Sequence, residues 1–194
     1  MTRTGLNRVL STDRTIFQLA VVSVLVVLAC VTARADTQLS SSGIASSGFD
    51  AGLPLADSVV VHKAKRTLEL LRNGTVLRSY KISLGLRPEG HKEYEGDFRT
   101  PEGKYTLTRR NPNSDYFLSI QVSYPNEQDI ARARSHGMRP GGMIMIHGQP
   151  NTPRKPRDYY TNIDWTEGCI AVSNSDMVEI WLMTRPDTPI EIEP

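Results

Sequence analysis

From Ser58 onward the chain is a succession of short runs rich in Val, Ile, Leu, Tyr and Thr, each cut off by turn residues, and that rhythm points to an all-β domain. Ser58 to Ala64 and Thr67 to Arg72 read as the first two strands. Asn73-Gly74 supplies the pair that tolerates positive φ in a tight hairpin, and Thr75 to Leu84 returns as the partner strand. Further strands are expected at Lys104 to Arg109, Phe117 to Ser123 and Gly142 to His147, with Pro189 to Glu193 closing the sheet. Two helices are expected among them. Asn126 caps a segment running to about Arg134, with Glu127 and Asp129 placed to complement the helix dipole. Ser173 and Asp176 stand in S-x-x-D spacing ahead of Met177, Val178, Ile180, Trp181 and Leu182.

The residues before this domain have a different character. Arg3, Arg8 and Arg14 precede an apolar run of 16 residues, Ile16 to Val31, followed by Ala33-Arg34-Ala35. That order is the one of a secretory signal peptide, so residues 1–35 read as a leader cleaved before Asp36 and the protein as exported to the periplasm or cell envelope. An uncleaved leader would act as a membrane anchor, and Cys30 within Val27-Leu28-Ala29-Cys30 offers a third reading as a lipidation site. Residues 36–57 carry five Ser and three Gly and read as a flexible tether to a domain spanning 58–194. The leader also holds four Arg against one acid, which leaves the rest of the chain with 19 bases and 20 acids. A domain so balanced has no electrostatic reason to bind nucleic acid.

Export makes the cysteine count informative. With Cys30 in the leader, only Cys169 remains, so no internal disulfide can form and the thiol needs either burial or a task. The plain alternative is a small buried hydrophobe. Thr166-Glu167-Gly168-Cys169 places it after a glycine, where the chain can turn tightly and aim backbone N–H groups into a cleft. The apolar run Gly142 to Ile146, read as a strand buried on both faces, delivers His147-Gly148 at its exit. Thiol chemistry needs a base, and His147 is the choice: His62 lies in a surface strand beside lysines, while His91 and His136 lie in polar loops. One cysteine without C-x-x-C or H-x-x-x-H spacing gives no recognisable metal site, and no cofactor is implied.

These residues resemble the L,D-transpeptidase catalytic domain of bacterial cell-wall enzymes. The likeness rests on Ile146-His147-Gly148, on Thr166-Glu167-Gly168-Cys169 some twenty residues later, and on Gly96-Asp97-Phe98-Arg99-Thr100-Pro101-Glu102-Gly103-Lys104-Tyr105, which matches the family's G-D-x-x-T-P-x-G-x-[YF] pattern. The resemblance implies a mainly β fold, a sandwich of mixed sheet with few helices, acting on peptidoglycan stem peptides. It implies Cys169 as nucleophile, His147 as base and later acid, and the Gly148 carbonyl as the group orienting the imidazole. Backbone N–H groups of Gly168 and Cys169 would then form the oxyanion hole. The thiolate would attack the third residue of a stem, expel the terminal D-alanine, and pass the acyl group to an amine.

Between His147 and Cys169 lie 21 residues without a clear strand, carrying Arg154, Lys155, Arg157 and Tyr159. As a covering loop these could set cations against stem-peptide carboxylates; as a plain loop they would be solvated surface. Two positions depart from the commonest family pattern, which has His where Glu167 stands and Arg or Asn where Ala171 stands. The first puts an acid beside the thiol and the second removes a cation. Competing functions are an L,D-carboxypeptidase or amidase, with water as acceptor, and a non-catalytic cell-wall binding module. Oligomeric state is not legible in the residues.

Overall fold

The computed structural model describes residues 52–194, and the expected leader and most of the expected tether lie outside them. Eight strands and three helices follow in the order β1 (Ser58–His62), β2 (Thr67–Arg72), β3 (Thr75–Lys81), β4 (Gly103–Ser114), β5 (Phe117–Val122), α1 (Glu127–Ser135), β6 (Met145–His147), α2 (Arg157–Asn162), β7 (Ile170–Ala171), α3 (Asn174–Met183) and β8 (Pro189–Glu193). The strands form one mixed sheet in the order β3-β2-β1-β8-β4-β5-β6-β7. Packing begins at Ala56, which is buried and whose N–H donates to Met183 O, two residues before the expected domain boundary.

Strand alternation builds the core. Successive side chains point to opposite faces, so Val59 and Val61 of β1, Leu68 and Leu70 of β2, and Ile190 and Ile192 of β8 all turn inward. Met177, Ile180 and Met183 of α3 join them in a single buried cluster. Each such side chain contributes about 1.5–3 kcal/mol of apolar burial. β4 is the strand that turns the corner. Its first residues pair with β8 and its later ones with β5, and register shifts within the β4–β5 pairing mark where the ladder breaks. Beyond β3, bridges from Ser83 to Ala171 and from Gly85 to Thr166 bring the two ends of the strand order together. The sheet therefore folds over onto itself, the sandwich-like mainly β architecture.

The helix caps form as the side chains dictate. Asn126 accepts from Asp129 N while the Asp129 carboxylate accepts from Asn126 N, closing a capping box on α1. Ser173 accepts from Asp176 N at the start of α3. At the other end of α3, Arg110 lies 4.0 Å over the Trp181 ring and donates to the carbonyls of Trp181 and Thr184.

β3 ends at Lys81 rather than Leu84, β6 begins at Met145 rather than Gly142, and further features differ from the expectation. A third helix, α2, forms inside the segment expected to be loop, and the short strand β7 follows Cys169. β4 runs on to Ser114 rather than ending at Arg109. β8, expected to close the sheet, does so between β1, to which it is parallel, and β4.

Candidate active site

β6 is three residues long but paired on both sides, with Ser119 of β5 opposite His147 and Ala171 of β7 also opposite His147. Alternation sends Ile144 and Ile146 into the core, while Met143, Met145 and His147 line a cavity of about 450 Å³. The run expected to be buried on both faces is buried on one. On the neighbouring strand Ile170 enters the core, so the residue before it, Cys169, lines the same cavity. The thiol and the imidazole are thus brought to one cavity by strand pairing.

The His147 ring is 4% exposed and packed between aromatic rings, with centroids 4.7 Å from Tyr116 and 5.6 Å from Trp165. Its Nδ1–H donates to Gly148 O at 2.7 Å, which leaves Nε2 as the proton acceptor. Burial pushes the imidazole pKa down to about 4, against the opposing pull of the Gly148 carbonyl, so the ring is neutral at neutral pH. Gly148 is required by packing: a Cβ there would lie 2.6 Å from Asn174 Oδ1 and 3.0 Å from Phe117 Cβ.

The Cys169 turn is held by Thr166. Its hydroxyl donates to Cys169 O at 2.8 Å and accepts from Gly168 N at 3.1 Å. Gly168 has φ +130°, and a Cβ on it would stand 2.6 Å from Arg99 O. Only glycine permits this approach. Cys169 Sγ donates to Met143 O at 3.6 Å. Burial pushes the thiol pKa up, and the Glu167 carboxylate adds to that, while the Met145 backbone and the Lys92 ammonium pull it down. The acid that departs from the family pattern therefore disfavours the thiolate, although its side chain is exposed at the cavity rim.

The Gly96 to Gly103 motif braces this turn from behind. Asp97 is buried and accepts from Lys92 Nζ at 2.7 Å and from the backbone N–H groups of Glu93, Tyr94 and Arg99. Burial alone would raise its pKa, but these donors hold it below the ordinary carboxylate range. Thr100 Oγ1 accepts from Gly85 N, linking the motif to the segment that bridges Thr166. On the other side Arg66 pairs with Asp164 at 2.7 Å, and Asp164 also accepts from Leu84 N, anchoring the chain just before Trp165.

The basic residues expected to cover the site do not line the Cys169 cavity. Arg154 lines a second cavity of about 570 Å³, which shares Asp115, Tyr116 and Trp165 with the first, and Lys155, Arg157 and Tyr159 line neither. The reason is local: the Arg154 and Lys155 N–H groups donate to Tyr160 Oη, fixing the segment over Tyr160 and away from the Cys169 cavity, with Arg154, Lys155 and Arg157 exposed. The wall is instead polar residues of β4, namely Arg109, Asn111 and Asn113, with Tyr116 from the turn that follows. Asn111-Pro112-Asn113 looks like a strand terminator, which hid Asn111 and Asn113 in the sequence. Among the described residues no group of three or more His, Cys, Asp or Glu could hold a metal ion.

Comparison with known domains gives these residues a setting. The family described as YkuD, L,D-transpeptidase catalytic domain, matches residues 56–192. The chain belongs to this family. The YkuD domain here is 38% identical over 96 residues to YafK of Escherichia coli (strain K12), an alignment covering 46% of this chain and 37% of that protein. It also superimposes on the helical cell shape determining protein Pgp2 from Campylobacter jejuni, with TM-score 0.53, 27% identity and coverage of 70% of this chain and 46% of that one. Bd1075 of Bdellovibrio bacteriovorus matches at TM-score 0.50 and 26% identity, covering 71% and 48%. The chain spans less than half the length of these relatives.

Proposed function

We propose that this YkuD domain is a cysteine L,D-transpeptidase of the cell envelope, acting on peptidoglycan stem peptides through a Cys169 thioester. The observation that carries the reading is the shared cavity. The one thiol of the described residues and a neutral imidazole, its Nδ1 committed to Gly148 O and its Nε2 left to accept a proton, line the same cavity.

With both groups neutral at rest, His147 Nε2 takes the thiol proton as Sγ attacks the amide carbonyl. The resulting oxyanion needs a donor. Gly168 N–H already donates to Thr166 Oγ1, so of the expected Gly168 and Cys169 pair we assign this role first to the Cys169 N–H. Collapse breaks the C–N bond, and His147 returns its proton to the departing amine, leaving a thioester. A second amine then attacks the thioester carbonyl and loses its proton to His147, and the restored thiolate takes that proton back. Water in place of the amine would give hydrolysis through the same groups.

The leader motif of residues 1–35 supports export and a place in the envelope, and residues 36–57 then serve as a tether to the domain. No helix among the described residues is long and apolar enough to cross a membrane.

Mass spectrometry of stem peptides or muropeptides incubated with the protein tests the proposal. Joined stems accompanied by a Cys169 acyl adduct are expected. Loss of terminal D-alanine without joining would assign the acyl group to water, and unchanged substrate without an adduct would leave a binding module.

A further inference from the structure

Two consecutive arginines on β4 have opposite fates. Arg110 is spent on the end of α3, donating to Thr184 O at 2.7 Å with its guanidinium over Trp181. Arg109 faces the other way, into the cavity that holds Cys169 and His147. It makes no ion pair or side-chain hydrogen bond among the described residues, and it is the one cation of the described residues that line this cavity. Asn111 and Asn113 stand beside it on the same strand. The other charges there are the carboxylates of Asp115 and Glu167, which repel an incoming anion. Ala171, opposite His147 on β7, is buried outside this cavity and offers no charge.

We propose that Arg109 receives a substrate carboxylate beside the reacting carbonyl, making the cavity selective for peptide acyl donors that carry a free carboxylate. A guanidinium presents paired N–H donors in the fork geometry that a carboxylate fits, and it stays charged at any pH of interest. The cation absent at position 171 is thereby supplied across the cleft from β4, and not by Arg154, Lys155 or Arg157. The assignment rests on the acyl-transfer reading above. The carboxylate is either the C-terminal one of the leaving residue or the side-chain one of the diamino acid.

Calorimetric titration of the full chain carrying Cys169→Ala, with a stem tetrapeptide as ligand, tests it in the presence and absence of Arg109→Gln. The substitution should weaken binding about 10- to 100-fold, the loss of a charge-assisted pair, and Arg109→Lys should recover part of it. Amidating the recognised carboxylate should weaken binding to the Arg109 protein by the same factor and have no further effect with Arg109→Gln. Separate peptides amidated at the terminus and at the side chain identify which carboxylate is read. In the Cys169 background, Arg109→Gln should leave the melting temperature and the rate of Cys169 alkylation by neutral iodoacetamide unchanged. Equal affinity with and without Arg109, or no binding of the peptide, overturns the proposal. Arg109-dependent binding without any thioester or product in the parental protein would instead sink the acyl-transfer reading and leave the carboxylate site standing.

Discussion

His147 and Cys169 are both held in their uncharged forms by burial, and that has consequences that solution experiments can read. The folded imidazole has a pKa near 4 against an ordinary 6.5, so between those values the unfolded chain binds the extra proton. Stability is then fully present above pH 6.5 and declines as the pH falls through that window, by roughly 3 kcal/mol in all. His147→Gln should flatten this part of the stability-against-pH curve measured by urea unfolding. A slope unchanged by the substitution would contradict the burial account. Burial likewise raises the thiol pKa, so the rate of Cys169 alkylation by iodoacetamide should rise with a midpoint above that of a free cysteine peptide run alongside. A midpoint well below it would mean that the thiol rests as a preformed thiolate beside imidazolium.

Among the elements, the turn before Cys169 and the end of α3 carry separable burdens. Gly168→Ala forces both a φ that L residues avoid and a clash with Arg99 O, a cost of roughly 2–5 kcal/mol together with displacement of the thiol. Gly74, at φ +73° in the β2–β3 hairpin, has nothing within 4 Å of where its Cβ would stand. Gly74→Ala should therefore cost only the backbone conformation, about 1 kcal/mol, and leave Cys169 reactivity alone. Equal losses in the two variants, measured by thermal unfolding, would show that the Arg99 contact yields freely. Arg110→Ala removes two bonds to α3 carbonyls and the stacking on Trp181. It should lower stability by about 1–3 kcal/mol while Cys169 alkylation proceeds at the parental rate.

At the scale of the whole molecule, the last strand is the keystone. β8 pairs with β1 on one side and β4 on the other, so the hairpins near the start of the domain join the site-bearing half through residues near its end. Truncation after Asp187 should therefore abolish the cooperative unfolding transition, because it removes the buried Ile190 and Ile192 and leaves two unpaired strand edges. A truncated chain that still unfolds cooperatively, with native near-ultraviolet circular dichroism, would show that β4 can close directly on β1. The site depends on the same closure. Bridges from Ser83 and Gly85 to Ala171 and Thr166 tie the Cys169 turn to the far end of the strand order.

Local chemistry explains what was legible beforehand. The Asn73-Gly74 hairpin, the caps at Asn126 and Ser173, and the strands Thr67–Arg72 and Pro189–Glu193 depend on a few neighbouring residues, and each forms where its residues stand. His147 and Cys169 were nameable because one thiol and one strand-end histidine are rare enough to be counted. What the sequence could not reveal depends on partners far along the chain. β7 is two residues long and exists because β6 and the bridge from Ser83 lie beside it. β8 is central because β1 and β4 leave a place for it. Arg109 and Arg110 carry the same local signal, and only the register of β4 against its neighbours sends one to the helix end and the other to the cavity. Composition set the expectation of a covering loop of cations over Cys169, but the backbone bonds to Tyr160 Oη hold that segment away from the Cys169 cavity. Strand register and the backbone bonds to Tyr160 Oη, not charge content, decide which cation lines the cavity of the thiol.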